Sequence, residues 1–330
     1  MIWILAAIIV SVPAAALLYL ACIDGSFRVR RSLEIETSPE SAFTAVVNLK
    51  SWPEWSPWLI HEPDAKLEYS DDYREEGGFY SWDGEAIGAG KLTHVEIRPA
   101  QSIRQQLEFL RPFKAVNDVD WLFERRDDHT LVSWEMSGVM PLLFRFMAKR
   151  MEPMIGRDYE LGLAMLGGYL NGAMPHPRLE FIGSDTLQDF HYRSIPCNGN
   201  LRQLEAARSS SIETLRASAA ARIGMSLTLY HRFDAYAGQY QAEIAIPASE
   251  NMPESNYQLR SCKGGRYFKM TLQGDLKFLP QAWHALVSHC RMYRIKTDPS
   301  RPALEIYQQD PAEVGDSNQL VTTLYLPIKQ

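Results

Sequence analysis

The chain has 330 residues, 46% of them hydrophobic, which is enough material for about two domains of roughly 150 residues each. Its formal net charge is -6 at pH 7, and this acidic balance argues against a nucleic-acid-binding face, which would show as a basic patch. Cys22, Cys197, Cys262 and Cys290 are scattered without C-x-x-C spacing, so neither a metal site nor a disulfide framework is indicated. A single 197–262 or 262–290 bridge stays open if the protein faces an oxidising compartment.

The first charged side chain is Asp24, and Arg28, Arg30 and Arg31 follow soon after it. The preceding apolar run has roughly the 20 residues that cross a bilayer. A cleaved signal peptide is the alternative, but no Lys or Arg precedes the run, which is also longer than the apolar part of such peptides. Residues 1–24 therefore predict a transmembrane anchor. The arginines that follow it favour an inner-membrane protein whose soluble body is cytoplasmic.

Residues 25–172 contain the elements of one α+β domain. A strand over Phe27–Glu36 leads to a helix that begins with Ser38 as N-cap and Pro39 at its first position. A long helix over Pro141–Tyr169 closes the domain. Between them, short alternating runs bounded by turn residues predict six more strands: 65–69, 78–86, 90–98, 102–109, 117–125 and 131–137.

The order of these elements and several short motifs resemble the SRPBCC superfamily, which includes START lipid carriers and polyketide cyclases. The motifs are Ser38–Phe43, Trp52–Trp58, Tyr80–Trp82, Gly88–Lys91, Trp134–Gly138 and Met154–Leu163. The resemblance implies a helix-grip fold, in which a curved antiparallel sheet wraps around the last helix and leaves an apolar cavity between sheet and helix. Trp55, Trp82 and Trp134 are candidate ligand-binding residues on its wall, since such sites are mostly apolar. The alternative is that these aromatic rings simply fill the core.

The segment Ala173–Pro177 is broken by two prolines and cannot continue a helix, so residues 173–184 are predicted to be a linker. In residues 185–330 the sequence repeats itself. Leu227–Tyr230 and Ala242–Pro247 return later as Leu304–Tyr307 and Val321–Pro327. Each half also has an upstream strand and helix, so the repeat predicts two β-α-β-β units related by pseudo-twofold symmetry.

Leu304–Tyr307 and Thr323–Ile328 resemble the GyrI-like domain, which is also attached to AraC- and MerR-type regulators. The resemblance implies a groove that binds amphipathic, often cationic, small molecules around a buried glutamate, here Glu305. Glu305 and Tyr307 share one face of their strand, where a buried carboxylate would need a partner such as a ligand cation. Further candidate wall residues are Tyr230, Trp283 and Tyr325. The alternative is that Glu305 faces solvent and the aromatic residues belong to the core.

These features predict a membrane-anchored small-molecule binding or sensing protein, with one module for hydrophobic ligands and one for amphipathic ligands. Two alternatives stay open. In a hydrolase, Glu305 would activate water with help from Tyr307 or Tyr230; as in gyrase-inhibiting relatives, the second domain would instead dock a partner protein. No motif for other chemistry is present, and no metal or cofactor is expected. The expected partners are small hydrophobic or amphipathic molecules and the membrane, not nucleic acid.

Overall fold

The computed structural model describes residues 18–172, 177–219, 225–234, 239–249, 256–309 and 314–329. The chain divides into two compact units, with the boundary between Asn171 and Gly172. Each unit combines helices with one antiparallel sheet. The predicted α+β fold class is therefore confirmed.

The first unit is built on a seven-stranded antiparallel sheet in the order β1-β7-β6-β5-β4-β3-β2. Its strands are β1 (Ser26–Ile35), β2 (Lys66–Tyr69), β3 (Phe79–Asp83), β4 (Ala89–Arg98), β5 (Ser102–Arg111), β6 (Ala115–Arg126) and β7 (His129–Val139). Helix α1 (Pro39–Val47) and 3-10 turns at Leu49–Glu54 and Leu59–His61 connect β1 to β2. Helix α2 (Ala148–Asn171) follows the sheet.

Local chemistry accounts for helices α1 and α2 of this unit. Ser38 caps α1, because its side chain accepts a hydrogen bond from the Ser41 N–H at 3.2 Å. Arg31 on β1 forms ion pairs with Glu152 and Glu160 on α2, at 2.8 and 2.7 Å. These contacts fix the helix against the first strand of the sheet.

The closing helix differs from its prediction at the start. The α-helix begins at Ala148, and the preceding Leu142–Met147 forms a 3-10 turn in which no residue is buried. Because none of its side chains is buried, this apolar stretch lacks much of the packing that stabilises most helices. The apolar periodicity of the sequence therefore placed the beginning of the helix too early.

The second unit is built on an eight-stranded antiparallel sheet in the order β12-β9-β11-β10-β14-β15-β13-β8. Its strands are β8 (Arg178–Leu187), β9 (Phe190–Asn200), β10 (Ser226–Asp234), β11 (Gln239–Pro247), β12 (Arg260–Cys262), β13 (Gly265–Gln273), β14 (Ala303–Tyr307) and β15 (Val321–Pro327). Its helices are α3 (Leu201–Ala219) and α4 (Leu279–Met292), with 3-10 turns at Leu276–Phe278 and Ser317–Gln319.

Two β-α-β-β units follow each other along this part of the chain. The first is β9-α3-β10-β11 and the second is β13-α4-β14-β15. They meet at the middle of the sheet, where β10 pairs with β14. Side chains from both halves of the repeat can therefore contact a residue on this central strand pair.

The predicted linker, residues 173–184, differs from the structure over its second half. Residues 178–184 belong to β8, which pairs with β13 at the edge of the sheet. No side chain of β8 is fully buried, and Leu179 and Phe181 are only partly buried against the core. Its apolar pattern is therefore weaker than that of a buried strand. Residues 173–176 lie outside the described residues.

All four cysteines lie in described segments and all are free. Neither the 197–262 nor the 262–290 disulfide is formed. The predicted anchor falls mostly on residues 1–17, outside the described residues, whereas residues 18–22 are helical. Within the described part of the chain, no helix has the length and apolar character that a bilayer span requires.

Candidate functional site

The two central strands of the second sheet carry most of the predicted site residues. Thr228 on β10 pairs with Glu305 on β14 in an antiparallel register. Because side chains alternate along a strand, Thr228 and Tyr230 share a face with Glu305 and Tyr307. Side chains from α3 and α4 contact this face, which is therefore the helix-covered face of the sheet.

Glu305 is wholly buried, with 0% of its surface exposed, and three aromatic side chains donate hydrogen bonds to its carboxylate. The Tyr230 hydroxyl and the Trp283 ring N–H donate to Oε1, at 2.8 and 2.6 Å. The Tyr307 hydroxyl donates to Oε2 and lies 3.1 Å from the Thr228 hydroxyl. Both carboxylate oxygens therefore have the partners that burial of a charged group requires.

Arg208 on α3 supplies the positive charge beside this carboxylate. Its Nη2 lies 3.7 Å from Glu305 Oε2, and both side chains are buried. Its guanidinium also lies over the Tyr307 ring, 4.9 Å from the centroid. Burial acts to lower the pKa of Arg208, but the neighbouring Tyr307 and Glu305 outweigh it and the pKa is raised. A protein cation thus stands where the sequence analysis expected a ligand cation.

The tyrosines around Glu305 remain protonated hydrogen-bond donors. Burial, followed by the negative charge of Glu305, raises the pKa of Tyr230 well above its ordinary value. Burial also raises the pKa of Tyr307, with Arg208 acting in the opposite direction. Since neither hydroxyl ionises near neutral pH, both remain hydrogen-bond donors to the Glu305 carboxylate.

Ring packing fixes the orientation of these donors. The Tyr230 ring lies 5.8 Å from Trp283 and 5.9 Å from Tyr240, centroid to centroid, in edge-on contacts. The Tyr240 hydroxyl accepts a hydrogen bond from the backbone N–H of Leu204 at 2.8 Å. Strand β11 and the first turn of α3 are thereby linked on the Arg208 side of the site.

Tyr325 is not brought together with the other predicted residues. It pairs with Leu304 on β14, and Leu304 points to the face opposite Glu305. There the Tyr325 ring packs edge-on against Tyr267 at 6.0 Å, and Lys269 Nζ lies 5.6 Å from its centroid. Tyr325 as a wall residue of the Glu305 site is therefore wrong, because the strand register sends it to the other face.

A second buried carboxylate, Glu243, also lies on this opposite face. It is paired with Leu229 in the β10–β11 register, and its carboxylate accepts a hydrogen bond from Ser194 at 2.6 Å. Arg260 and His231 lie 2.6 and 3.2 Å from its Oε1. Glu243 is thus a matched reference for Glu305: a buried glutamate of the same sheet with its own arginine.

Two of the three candidate residues of the first unit lie within its aromatic core. Trp55 and Trp134 are fully buried, and their rings lie 6.2 Å apart. Trp134 also stacks on Trp121 and Tyr159, at 4.3 and 4.0 Å. Its ring N–H is buried and makes no hydrogen bond within the described residues. Their predicted role in ligand binding stays a prediction.

Trp82 lies apart from the fully buried rings. It is half-buried and contacts Tyr80 and Phe109, at 5.8 and 6.1 Å between centroids. A Cβ added at Gly90 would lie 2.4 Å from the Trp82 ring. The glycine therefore makes room for this indole on the neighbouring strand. Trp82 likewise stays a predicted ligand-binding residue.

Sequence reasoning missed Arg208, although the sequence contains a signal for it. Leu204, Ile212 and Leu215 form the buried stripe of α3, and Arg208 occupies the position in that stripe one turn after Leu204. A charged residue at a core position of an amphipathic helix calls for a buried partner. The sequence alone does not say which carboxylate that partner is, because α3 and β14 lie far apart in the chain.

The second unit is thus an α+β domain whose two halves surround a buried carboxylate. Residues 206–329 match a protein family described as the GyrI-like small molecule binding domain. This part of the chain is accordingly similar to GyrI-like domains. No curated protein matches the sequence.

Several solved structures match part of this chain. CalU16 from Micromonospora echinospora is 13% identical, with 44% of this chain and 85% of that chain covered and a TM-score of 0.32. The Aha1 dimer from Colwellia psychrerythraea is 15% identical, with 43% of this chain and 95% of that chain covered and a TM-score of 0.33. SAV2435 bound to tetraphenylphosphonium is 18% identical, with 46% of this chain and 94% of that chain covered and a TM-score of 0.35.

Proposed function

We propose that the GyrI-like domain binds an amphipathic, cationic small molecule at Glu305. The supporting observation is the wholly buried carboxylate, whose three neutral donors are all aromatic and which forms an ion pair with Arg208. Aromatic faces attract organic cations, and the attraction grows when water is excluded. A flat or bulky cation with apolar groups would match this lining in both charge and surface.

In this proposal the ligand cation takes the place of Arg208 beside Glu305. The separation of 3.7 Å between Nη2 and Oε2 exceeds the roughly 2.7–2.9 Å of a charge-assisted hydrogen bond. Arg208 therefore neutralises the carboxylate without a close hydrogen bond to it. A ligand must compensate the displacement of Arg208, which favours a cation that can also contact Tyr307, the ring that the guanidinium now covers.

The first experiment is a thermal-shift titration of the full chain with tetraphenylphosphonium, a probe that is cationic and aromatic. A ligand that binds only the folded protein stabilises it by RT ln(1 + [L]/Kd), about 2.7 kcal/mol at one hundred times Kd. We expect a concentration-dependent rise in Tm for the wild type and for Glu243→Gln. Glu305→Gln should abolish the rise. An equal rise in all three proteins would contradict the proposal.

Hydrolysis of an electrophilic ligand at the same site is the second candidate. It rests on the Tyr307 hydroxyl, which contacts Glu305 directly and would be placed to assist a glutamate that activates water. A binding site and a hydrolytic site differ in turnover, since only the latter consumes its ligand. Glu305→Gln in an enzyme would abolish turnover while a neutral ligand is still bound.

We also propose that residues 1–24 tether the protein to the inner membrane, with the soluble body cytoplasmic and the first unit receiving a hydrophobic ligand. The support is the charge-free sequence of the first 23 residues and the arginines after it. A membrane protein of this type resists alkaline extraction. Its GyrI-like domain would be digested by added protease in inverted membrane vesicles but not in intact cells whose outer membrane is permeabilised.

A further inference from the structure

One end of the first unit exposes a cluster of large apolar side chains, here called the apolar end. It combines the turn between β5 and β6, the last residue of β7 and the 3-10 turn at Leu142–Met147. The members are Leu110, Phe113, Val116, Val139, Leu142, Leu143, Phe144 and Phe146. The rings of Phe113 and Phe144 stack at 5.6 Å, so the turn and the 3-10 segment form one surface.

The exposure of this cluster is large for the surface of a folded protein. Leu143 and Val139 are each 60% exposed, and Val116 and Phe146 are each 56% exposed. Apolar patches of this kind on soluble domains mark sites of protein or membrane contact. The question is therefore what covers the apolar end.

Charge around the apolar end points to an anionic surface. Residues 110–116 and 139–150 contain five basic residues and no Asp or Glu. Two of the five, Arg111 and Arg145, interact with Asp83 and Asp24 from outside these ranges. Lys114, Lys149 and Arg150 are exposed. Basic side chains that flank exposed Leu and Phe are typical of segments lying in the interface of a membrane with anionic lipids.

The charge-free N-terminal sequence adjoins this end of the unit. Arg145, in the centre of the 3-10 turn, donates hydrogen bonds to the carbonyls of Ala21 and Ile23 at 2.9 and 3.4 Å. The backbone N–H of Met140 donates to the carbonyl of Gly25 at 2.8 Å. The sequence before Asp24 therefore ends against the apolar end.

We propose that the apolar end docks on the surface of an anionic bilayer, with its Leu and Phe side chains in the interfacial region and its basic residues at the lipid head groups. The inference goes beyond the proposed ligand-binding function and uses only residues of the first unit. Two other occupants are a second copy of the chain and the chain's own residues 1–17. Neither accounts for the basic flank, because residues 1–17 contain no acidic side chain and a second copy packed through the same surface would bring the same basic residues.

The test measures how deeply single labelled positions of the full chain lie in a lipid bilayer. Cys22→Ser and Cys197→Ser remove the two cysteines that are not buried. A fluorophore is then placed by Leu143→Cys or, as a matched control, by Val95→Cys. Val95 is 48% exposed on β4, away from the apolar end. Both proteins are incorporated into vesicles of phosphatidylcholine and phosphatidylglycerol that contain nitroxide-labelled lipids.

The expected result is several-fold stronger lipid quenching at position 143 than at position 95. Lys114→Gln with Lys149→Gln and Arg150→Gln should weaken that quenching in anionic vesicles. Equal, weak quenching at both positions in floated vesicles would overturn the proposal, and so would protection of position 143 from labelling before vesicles are added. Failure of the protein to float would instead refute the tether proposed above. Docking would then be judged by adding the same proteins to preformed vesicles.

Discussion

The Glu305 cluster concentrates two opposite charges and four hydrogen-bonding side chains in a volume that water does not reach. Glu305 and Arg208 are 0% and 5% exposed, so neither charge is screened by solvent as a surface pair would be. Removing one partner from such a pair leaves an uncompensated charge in the core, whereas removing both can be nearly neutral. The site is therefore expected to respond non-additively to substitution.

Arg208→Met should lower the free energy of unfolding by about 3–5 kcal/mol, because Glu305 then remains buried without a cation. Adding Glu305→Gln to this variant should recover a large part of the loss. Urea unfolding followed by circular dichroism measures both effects as a double-mutant cycle. A cost below about 1 kcal/mol for Arg208→Met, the range of an exposed ion pair, would show that the two groups are not coupled.

His289 on α4 provides a pH-dependent contribution to stability. Its imidazole stacks on Phe181 at 4.0 Å and lies 4.5 Å from the Tyr293 ring, and burial lowers its pKa from 6.5 to about 4. The unfolded chain therefore binds a proton more readily than the folded one between these two pH values. Stability from a neutral His289 is complete above pH 6.5 and is lost as the pH falls towards 4.

His289→Phe should remove this contribution while keeping an aromatic ring at the position. We expect the wild type to lose about 2–3 kcal/mol relative to His289→Phe between pH 7 and pH 4, from the pKa difference and proton linkage. The measurement is urea unfolding of both proteins at several pH values. Parallel pH profiles would mean that His289 is not the titrating group.

Helix α2 meets the sheet through glycines as well as through ion pairs. A Cβ at Gly162 would lie 2.7 Å from the Trp134 ring and 3.0 Å from Pro57, whereas a Cβ at Gly167 would contact only Ile35, at 3.8 Å or more. The same substitution should therefore have opposite effects at two positions of one helix. Close packing of the helix on Trp134 depends on the first glycine only.

Gly167→Ala should stabilise the protein by up to about 1 kcal/mol, because alanine has the higher helix propensity and no clash arises. Gly162→Ala should destabilise it by about 1–3 kcal/mol, the usual cost of overpacking a core. Thermal unfolding of the two variants beside the wild type compares them directly. Stabilisation by Gly162→Ala would show that the Trp134 ring moves aside without cost.

The sequence allowed most elements to be predicted, because their apolar periodicity reports burial directly. All seven strands of the first unit and the repeated strand–helix pattern of the second lie close to the predicted ranges. Strands β8 and β12 were missed, since they lie at sheet edges and bury few side chains. The 3-10 turn at Leu142–Met147 shows the converse, an apolar sequence without burial.

At the scale of the whole molecule, strand alternation predicted part of the candidate site, but the tertiary contacts that complete it could not be predicted. Alternation correctly placed Tyr307 beside Glu305, and Tyr230 and Trp283 also join the cluster. The partner Arg208 comes from a helix whose approach depends on tertiary packing, and the face of Tyr325 depends on strand register. Register and helix docking are set by long-range contacts that one sequence does not display.

The division of the chain into two units gives a final prediction for the molecule as a whole. Each unit has its own sheet and buried residues, and multidomain chains commonly unfold in more than one step. Gly162→Ala should lower the unfolding temperature of the first unit, and Arg208→Met should lower that of the second. The two variants therefore assign each unfolding step to one unit.

Tetraphenylphosphonium should then raise only the transition that Arg208→Met lowers, because the proposed site lies wholly within the second unit. The effect should be larger in Arg208→Met than in the wild type, since no protein cation has to be displaced from Glu305. Differential scanning calorimetry at several cation concentrations measures both steps in one experiment. A shift of the Gly162→Ala-sensitive step instead would place the cation among the aromatic residues of the first unit and refute Glu305 as its partner.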